Sequence, residues 1–393
     1  MTEDFASLRQ GLAESVSADA GPLVAGALRS VPRHLFLPGV APALAYRDEA
    51  IVTKRDPAGR PLSSSSQPAL MAAMLAQLDL APGQRVLEIG AGTGYNAALI
   101  RHIVGPSGLV VSIDIDQDLV EAARRQLAAA GYHDVVVLCR DGADGAAEYA
   151  PFDRLIVTVG VSDLSPAWPA QLGPAAAMVV PVEVGGPMLC VAFERDHEHW
   201  ASRSVQPCGF IRVRGALAGA ACDVPLTEQL TLHLPGPRDI DAAGLARALR
   251  APAAVTAPTD VAAMAPAVLW GLYPWLSGSE PRTCQLTEHE PAGLLPLPPL
   301  RSAQLSGSYG LVSGGSIALL TAPDDTRLAV AGYGTDGVSL AAALAAQVRA
   351  WDQAGRPATQ GLHVDAYPAG SSVPARPGSV IDRPWTRFAV YRA

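Results

Sequence analysis

The stretch Val86-Leu87-Glu88-Ile89-Gly90-Ala91-Gly92-Thr93-Gly94-Tyr95 constrains this chain more than any other. Val86, Leu87 and Ile89 form a short apolar run of the kind buried on both faces of a parallel sheet. The run breaks into three glycines at alternate positions, which permit a tight turn and close approach of backbone to a ligand. From Tyr95 to Val104 the apolar residues take helical spacing. Strand, glycine loop and helix thus follow in the order of a nucleotide-binding βα unit. Further on, Val110-Val111-Ser112-Ile113-Asp114 predicts a second strand ending in an acid. A carboxylate there can accept from both hydroxyls of a ribose.

The dinucleotide fingerprint needs glycine where this chain has Tyr95. What stands here is acid-x-G-x-G-x-G, and it resembles the S-adenosylmethionine (SAM) loop of class I methyltransferases. SAM has no pyrophosphate, so an extra carboxylate, Glu88, can face its sulfonium and amino group. The expected cofactor residues are Glu88, Gly90, Gly92, Gly94, Tyr95, Asp114 and Ile115. A third strand, Val135 to Leu138, leads to Asp141-Gly142, where the acid can accept from an adenine amino group. A fourth, Arg154 to Val159, brings Thr158 to the border of the reacting centre, because ligands bind at strand C-terminal ends. The fold class implied is α/β, a Rossmann-like doubly wound sheet with an additional C-terminal α+β domain.

At 393 residues the chain fits two domains better than one. With 49% hydrophobic and 17% charged residues it is core-forming, not disordered. A net charge of −8 without any basic block argues against a nucleic-acid surface. Lys54 is the sole lysine, which removes Schiff-base chemistry from everywhere else. Cys139, Cys190, Cys208, Cys222 and Cys284 show no CxxC pair and no metal spacing, and His197 and His199 read as solvent-facing in a polar turn. No metal is expected. The N-terminus is acidic and no apolar run spans a membrane, so a cytoplasmic protein is expected.

In chain order, residues 1–30 read as helical, Val31 to Pro38 as a rigid connector, and 49–62 as a surface loop. Ser63-Ser64-Ser65-Ser66-Gln67-Pro68 then enters a helix over Ala69 to Leu80. A serine before Gln-Pro is an N-cap signature, but four serines exceed what a cap needs. Ser66 is expected to cap the helix and line the site at once. Asp118 to Ala130 and Pro166 to Leu172 predict helices, Ala177 to Val182 a strand, and Met188 to Phe193 with Ser202 to Gln206 a hairpin. Beyond Leu217, strands are expected at Leu230 to Leu234, Ile317 to Thr321, Leu328 to Ala331 and Phe388 to Tyr391. Helices are expected at Ala242 to Leu249, Asp260 to Tyr273 and Leu340 to Asp352. Pro291 to Leu300 reads as a stiff loop and Ser313-Gly314-Gly315-Ser316 as a hairpin turn.

Several pieces, in order, resemble the protein-L-isoaspartate O-methyltransferase family: Val31-Pro32-Arg33-His34-Leu35-Phe36, Ala45-Tyr46-Arg47-Asp48, Ser66-Gln67-Pro68, Val86 to Tyr95, Asp141-Gly142, Ala150-Pro151-Phe152-Asp153 and Gly209-Phe210-Ile211. The resemblance implies SAM as cofactor, with S-adenosylhomocysteine (SAH) as product. It implies Ser66 near the transferred methyl group, with Ser65 and Ser64 beside it as catalytic candidates, and Asp114 and Asp141 holding SAM. It also implies metal-free attack of a peptide carboxylate oxygen on the methyl group, helped by positioning and exclusion of water. Two features depart from the family. Ala58 to Ser66 replaces the usual Gly-His-Gly-Gln-Thr-Ile-Ser-like run, and the family's minimal enzyme ends near Gly215. Boundaries at 1–215 for the methyltransferase domain and 216–393 for a peptide-recognition domain follow. The elongated form is similar to methyltransferases of ribosomally made, modified peptides (graspetides, lanthipeptides, lasso peptides). The first expectation is therefore methylation of an aspartate in a macrocyclic peptide, leading to aspartimide or isoaspartate. The alternative is repair of isoaspartyl residues in proteins, and a third reading is a SAM-binding protein without turnover.

Overall fold

Strand β3, Arg85–Ile89, sits in the middle of the sheet that carries the glycine loop. The computed structural model describes residues 4–57, 59–184, 186, 188–218, 223–263, 267–288, 300–301, 306–322, 327–376 and 378–392. It divides into two units, residues 1–182 with 188–219 and residues 183–187 with 220–393.

The first unit opens with helices α1 (Phe5–Val16) and α2 (Gly21–Ser30), a 3-10 turn at Arg33–Phe36, and the short helix α3 (Pro42–Ala45). Strands β1 (Ile51–Arg55) and β2 (Pro61–Ser65) pair antiparallel. This hairpin replaces the surface loop expected over 49–62. Its strands carry Thr53, Lys54, Ser63 and Ser64, so their apolar alternation is too weak to read as strand. Helix α4 (Pro68–Leu78) follows, and then β3, α5 (Tyr95–Val104), β4 (Leu109–Asp114), α6 (Gln117–Ala129), β5 (Val136–Cys139), β6 (Phe152–Val157), α7 (Ala167–Gln171), β7 (Leu172–Glu183), β8 (Met188–Asp196) and β9 (His199–Pro207).

The sheet order is β9-β8-β7-β6-β3-β4-β5. The pairs β3–β4, β4–β5, β3–β6 and β6–β7 are parallel. Chain order reverses at β3, between β4 on one side and β6 on the other, and a crevice for ligands opens at such a switch point. Val86, Leu87 and Ile89 are buried, as are Val110, Val111 and Ile113, because helices cover both faces. One core cluster joins Val24 and Leu28 of α2, Met71 and Leu75 of α4, and Leu99 and Ile100 of α5. The expected hairpin is β8–β9, with His197 exposed at its turn.

In the second unit the strands are β10 (Asp223–Pro225), β11 (Leu230–His233), β12 (Val255–Ala262), β13 (Thr283–Glu288), β14 (Leu300–Arg301), β15 (Ser306–Ser313), β16 (Ser316–Thr321), β17 (Arg327–Tyr333), β18 (Leu362–Pro368), β19 (Gly378–Asp382) and β20 (Thr386–Arg392). An antiparallel sheet runs β10-β11-β13-β15-β16-β17-β12, with β14 beside β15. β20 pairs antiparallel with both β18 and β19. The helices are α8 (Ala242–Arg250), α9 (Tyr273–Ser279) and α10 (Gly337–Gln353). Every residue of β16 is buried. Ala318 and Leu320 pack with Leu344 and Val348 of α10, whereas Ile317 and Leu319 pack with Leu245 of α8. The sheet is therefore covered on both faces.

The helix expected from Asp260 to Tyr273 forms only in its second half. Its first part belongs to β12, with Asp260 at φ 60°, and a π-helical turn, Val268–Leu272, leads into α9. Serine and glycine at 313–316 form the β15–β16 turn. Residues 291–299 of the proline-rich run, and Cys222, lie outside the described residues. Among the described residues no helix is long and apolar enough to cross a membrane.

Candidate active site

A cleft opens where the C-terminal ends of β3, β4 and β6 meet the end of β2. It encloses about 990 Å³ of empty space, solvent at its mouth included. Three stretches wall it.

The first is the glycine loop. Gly90 has φ 105° and Gly92 φ 51°, in the left-handed region that side chains disfavour. A Cβ on Gly90 would lie 2.5 Å from Thr158 Oγ1. That hydroxyl donates to Gly90 O (2.6 Å) and is also within reach of Ile89 O (3.1 Å), so β6 ties directly to the loop. Asp114, at the end of β4, accepts from Gly92 N (2.9 Å) and Asp116 N (3.2 Å). Burial raises its pKa, and the backbone donors oppose that rise. Ile115 and Gly142 complete this side.

Glu88 lies beneath the loop, not on the cleft wall. It is fully buried, accepting from Asn96 Nδ2 (2.7 Å) and from the Ser112 hydroxyl. Burial lifts its pKa to about 7 against those two hydrogen bonds. A direct role at a sulfonium is therefore replaced by one at Asn96, which borders the cleft and whose buried Oδ1 has no partner. An unpaired buried acceptor beside a glycine cradle fits a cationic amino-acid moiety such as that of SAM.

The second wall is the serine run. Ser63, Ser64, Ser65 and Ser66 all border the cleft. Ser66 does not cap α4: the cap position is Gln67, which makes no side-chain cap bond. Asp48 serves instead, its Oδ1 accepting from Ala69 N (2.8 Å) and its Oδ2 from Gln67 Nε2 (2.9 Å). Behind the serines lie Arg33, 0% exposed, and Tyr95, 1% exposed, a residue that also borders the cleft. Desolvation lowers the Arg33 pKa, while Tyr95, Asp48 and Tyr46 oppose that shift.

The third wall is Phe210 to Arg214. Gly160 N donates to Ile211 O (2.9 Å) and Val213 N to Gly160 O (2.8 Å), which pins this segment beyond the end of β6. Arg214 grips Asp116 with two bonds (3.0 and 2.6 Å), and Lys54 bridges Asp116 (2.8 Å) and Asp118 (2.7 Å). The same segment supplies a backbone partner to Asp141. Its Oδ1 accepts from Ala143 N (2.9 Å) and its Oδ2 from Ala216 N (2.8 Å), and it is absent from the cleft lining. Gly94 is also off the wall, at φ 81° beneath Ala123 and Leu127, where it lets α5 start close against α6.

The family model for protein-L-isoaspartate(D-aspartate) O-methyltransferase matches residues 13–217, which include all three walls. This chain belongs to that family. A protein-L-isoaspartate O-methyltransferase of Thermotoga maritima is 40% identical over 162 residues, covering 41% of this chain and 50% of that protein. Protein-L-isoaspartate O-methyltransferase 1 of Archaeoglobus fulgidus is 39% identical over 196 residues, covering 49% of this chain and 88% of that protein. The chain thus spans half of the Thermotoga relative and most of the Archaeoglobus one. A solved structure titled protein-L-isoaspartate O-methyltransferase shares the fold at a TM-score of 0.51 and 22% identity, over 92% of this chain and 96% of that one. The family consists of carboxyl O-methyltransferases that use SAM, and the class I methyltransferase fold is the one present here.

Of the residues picked from sequence, Ser64, Ser65, Ser66, Gly90, Gly92, Tyr95, Asp114, Ile115, Gly142 and Thr158 border one cleft, whereas Glu88, Gly94 and Asp141 do not. Sequence reasoning missed Asn96, Asp48 and the Lys54–Asp116–Arg214 cluster. Glu88 and Asn96 are separated by most of the glycine loop, and no spacing rule links them. The Val-Pro-Arg piece pointed to Arg33 as a motif without saying what it touches.

Proposed function

We propose that this chain methylates the free carboxylate of isoaspartyl residues in polypeptides. The observation that carries the reading is the serine run facing the glycine loop across one cleft in a member of this family. SAM, when bound, supplies a methyl group on a sulfonium. The chain's own part is to hold a carboxylate oxygen in line with that methyl and to keep water away, which is where positioning contributes most. Asp114 is suited to a ribose diol, the glycine loop to close backbone approach, and Ser64 to Ser66 to hydrogen-bonding the attacking carboxylate. The products are a methyl ester and SAH. The following backbone nitrogen can then displace methanol to close a succinimide, whose hydrolysis returns part of the material to normal aspartate.

On length alone, methylation of an aspartate in a macrocyclic, ribosomally made peptide accounts for the C-terminal half. The solved structure that shares the fold over 92% of this chain is itself titled an isoaspartate methyltransferase, so a second unit is not peculiar to peptide maturation. We assign residues 216–393 to recognition of polypeptide around the modified residue.

Incubating the full-length chain and SAM with an isoaspartyl peptide and its normal aspartyl counterpart tests this reading. Mass spectrometry is expected to show gain of one methylene on the isoaspartyl peptide alone, followed by loss of methanol. Methylation of the aspartyl peptide alone would overturn the proposal in favour of a normal-aspartate enzyme, and methylation of neither would leave only SAM binding.

A further inference from the structure

Arg33 lies behind the cleft, and the functional reading has not used its chemistry. It is 0% exposed and, among the described residues, makes no salt bridge; the field of the Asp48 carboxylate only partly offsets its desolvation. Nη2 donates to Ser66 O (3.0 Å), and reaches Ser65 Oγ (3.3 Å) and Glu49 O (3.3 Å). Nε and Nη1 have no hydrogen-bond partner, and Cζ lies 5.5 Å from the centre of the Tyr95 ring. Burying an unpaired cation is strongly unfavourable unless an anion or a fixed set of acceptors answers it. Holding a loop through two carbonyls would not require a guanidinium so poorly satisfied.

The answer lies in what Arg33 does to Ser65. A hydroxyl has one proton to donate and two lone pairs to accept with. Ser65 Oγ receives from Nη2, so its own proton is left to point elsewhere, and Ser65 borders the cleft. We propose that Arg33 is the positioning residue for the substrate's carboxylate. It turns and polarises the Ser65 hydroxyl so that this hydroxyl donates to the carboxylate, and its buried charge gives the serine wall a positive potential that matches an anion. This inference rests on the carboxylate-methylating reading above and adds the group that selects for charge.

The proposal has a kinetic signature. The attacking carboxylate loses its charge as the ester forms, so a fixed cation stabilises the bound substrate more than the transition state. Such an interaction lowers KM without raising kcat. It also favours release of the uncharged ester.

The test uses the full-length protein saturated with SAH, and two peptides: an isoaspartyl peptide and the same peptide carrying isoasparagine, its uncharged isostere. Wild type is expected to bind the charged peptide about tenfold more tightly. Arg33→Met removes the charge at similar length and is expected to abolish that preference, with SAH affinity unchanged. In turnover it should raise KM about tenfold, with kcat unchanged or slightly raised. Arg33→Lys should restore part of the preference. Ser65→Ala should weaken it, and adding Ser65→Ala to Arg33→Met should cost nothing more, because the two act as one unit.

Equal loss for both peptides, or loss of SAH affinity together with melting temperature, would make Arg33 a structural anchor and overturn the inference. Should Arg33→Met fail to fold, an unaltered charge preference in Ser65→Ala would overturn it equally. A wild type that does not methylate the isoaspartyl peptide at all defeats the functional proposal; a wild type that does, beside an Arg33→Met variant with the preference intact, defeats this inference alone.

Discussion

The glycine wall and the serine wall of the cleft each rest on a buried ionisable group, and the two groups are housed differently. Beneath the glycines, Glu88 is held by Asn96 and Ser112 with both oxygens occupied. Behind the serines, Arg33 keeps two nitrogens without partners. The acidic group lies on the side suited to a cationic cofactor and the cationic group on the side suited to an anionic substrate. The difference teaches that the buried acid is satisfied by local contacts, while the guanidinium behind the serines keeps donors that no local contact answers. Loops that bind are commonly the less satisfied part of a rigid scaffold.

The comparison breaks most visibly if the glycine wall has slack. Gly90→Ala puts a methyl group at φ 105° and 2.5 Å from Thr158 Oγ1. Strain and overpacking together predict loss of about 3 kcal/mol of SAH binding, roughly a hundredfold, by calorimetry. Affinity within a few-fold of wild type would show that the loop can move aside, and the contrast between the walls would fall.

Glu88 offers a sharper and nearly equal test. Its pKa is about 7 when folded against an ordinary 4.5, so between those values the folded chain holds a proton that the unfolded chain has released. Its contribution to stability is therefore whole below 4.5 and is lost as pH rises through 7, by about 3 kcal/mol in all. Glu88→Gln keeps the shape and cannot ionise. Denaturation of both proteins at a series of pH values should show wild type losing stability relative to the variant across that window. A constant difference would mean that Asn96 and Ser112 already hold the carboxylate fully charged.

The smallest effect belongs to the serine side. Asp48→Ala removes the acceptor of Ala69 N, and a lost cap costs about 1 kcal/mol. Urea denaturation should record that loss with SAH affinity unchanged, because the cap anchors α4 and touches no glycine. A drop in SAH affinity as large as that of Gly90→Ala would mean that the two walls are one mechanical unit.

How much of this was legible beforehand follows the same division. The β3–glycine–α5 unit, the strand ending at Asp114 and the helices of the sheet were readable because apolar periodicity and glycine placement are local properties. The β1–β2 hairpin was not, since its polar strands carry little alternation. Nor was the end of β12, where residues 260–262 read as helix until pairing with β17 decided otherwise.

The sequence by itself determined that a glycine loop would follow a buried strand, that a carboxylate would stand at the end of the next strand, and that a serine run would precede a helix. Those outcomes depend on backbone freedom and burial within a few residues. Only the tertiary structure decided that Glu88 serves Asn96 instead of the cleft, that Asp141 spends both oxygens on backbone amides, and that Asp48 caps a helix beginning twenty residues later. Partners of polar groups are set by which segments the fold brings within hydrogen-bond reach, and that reach bears no relation to separation along the chain.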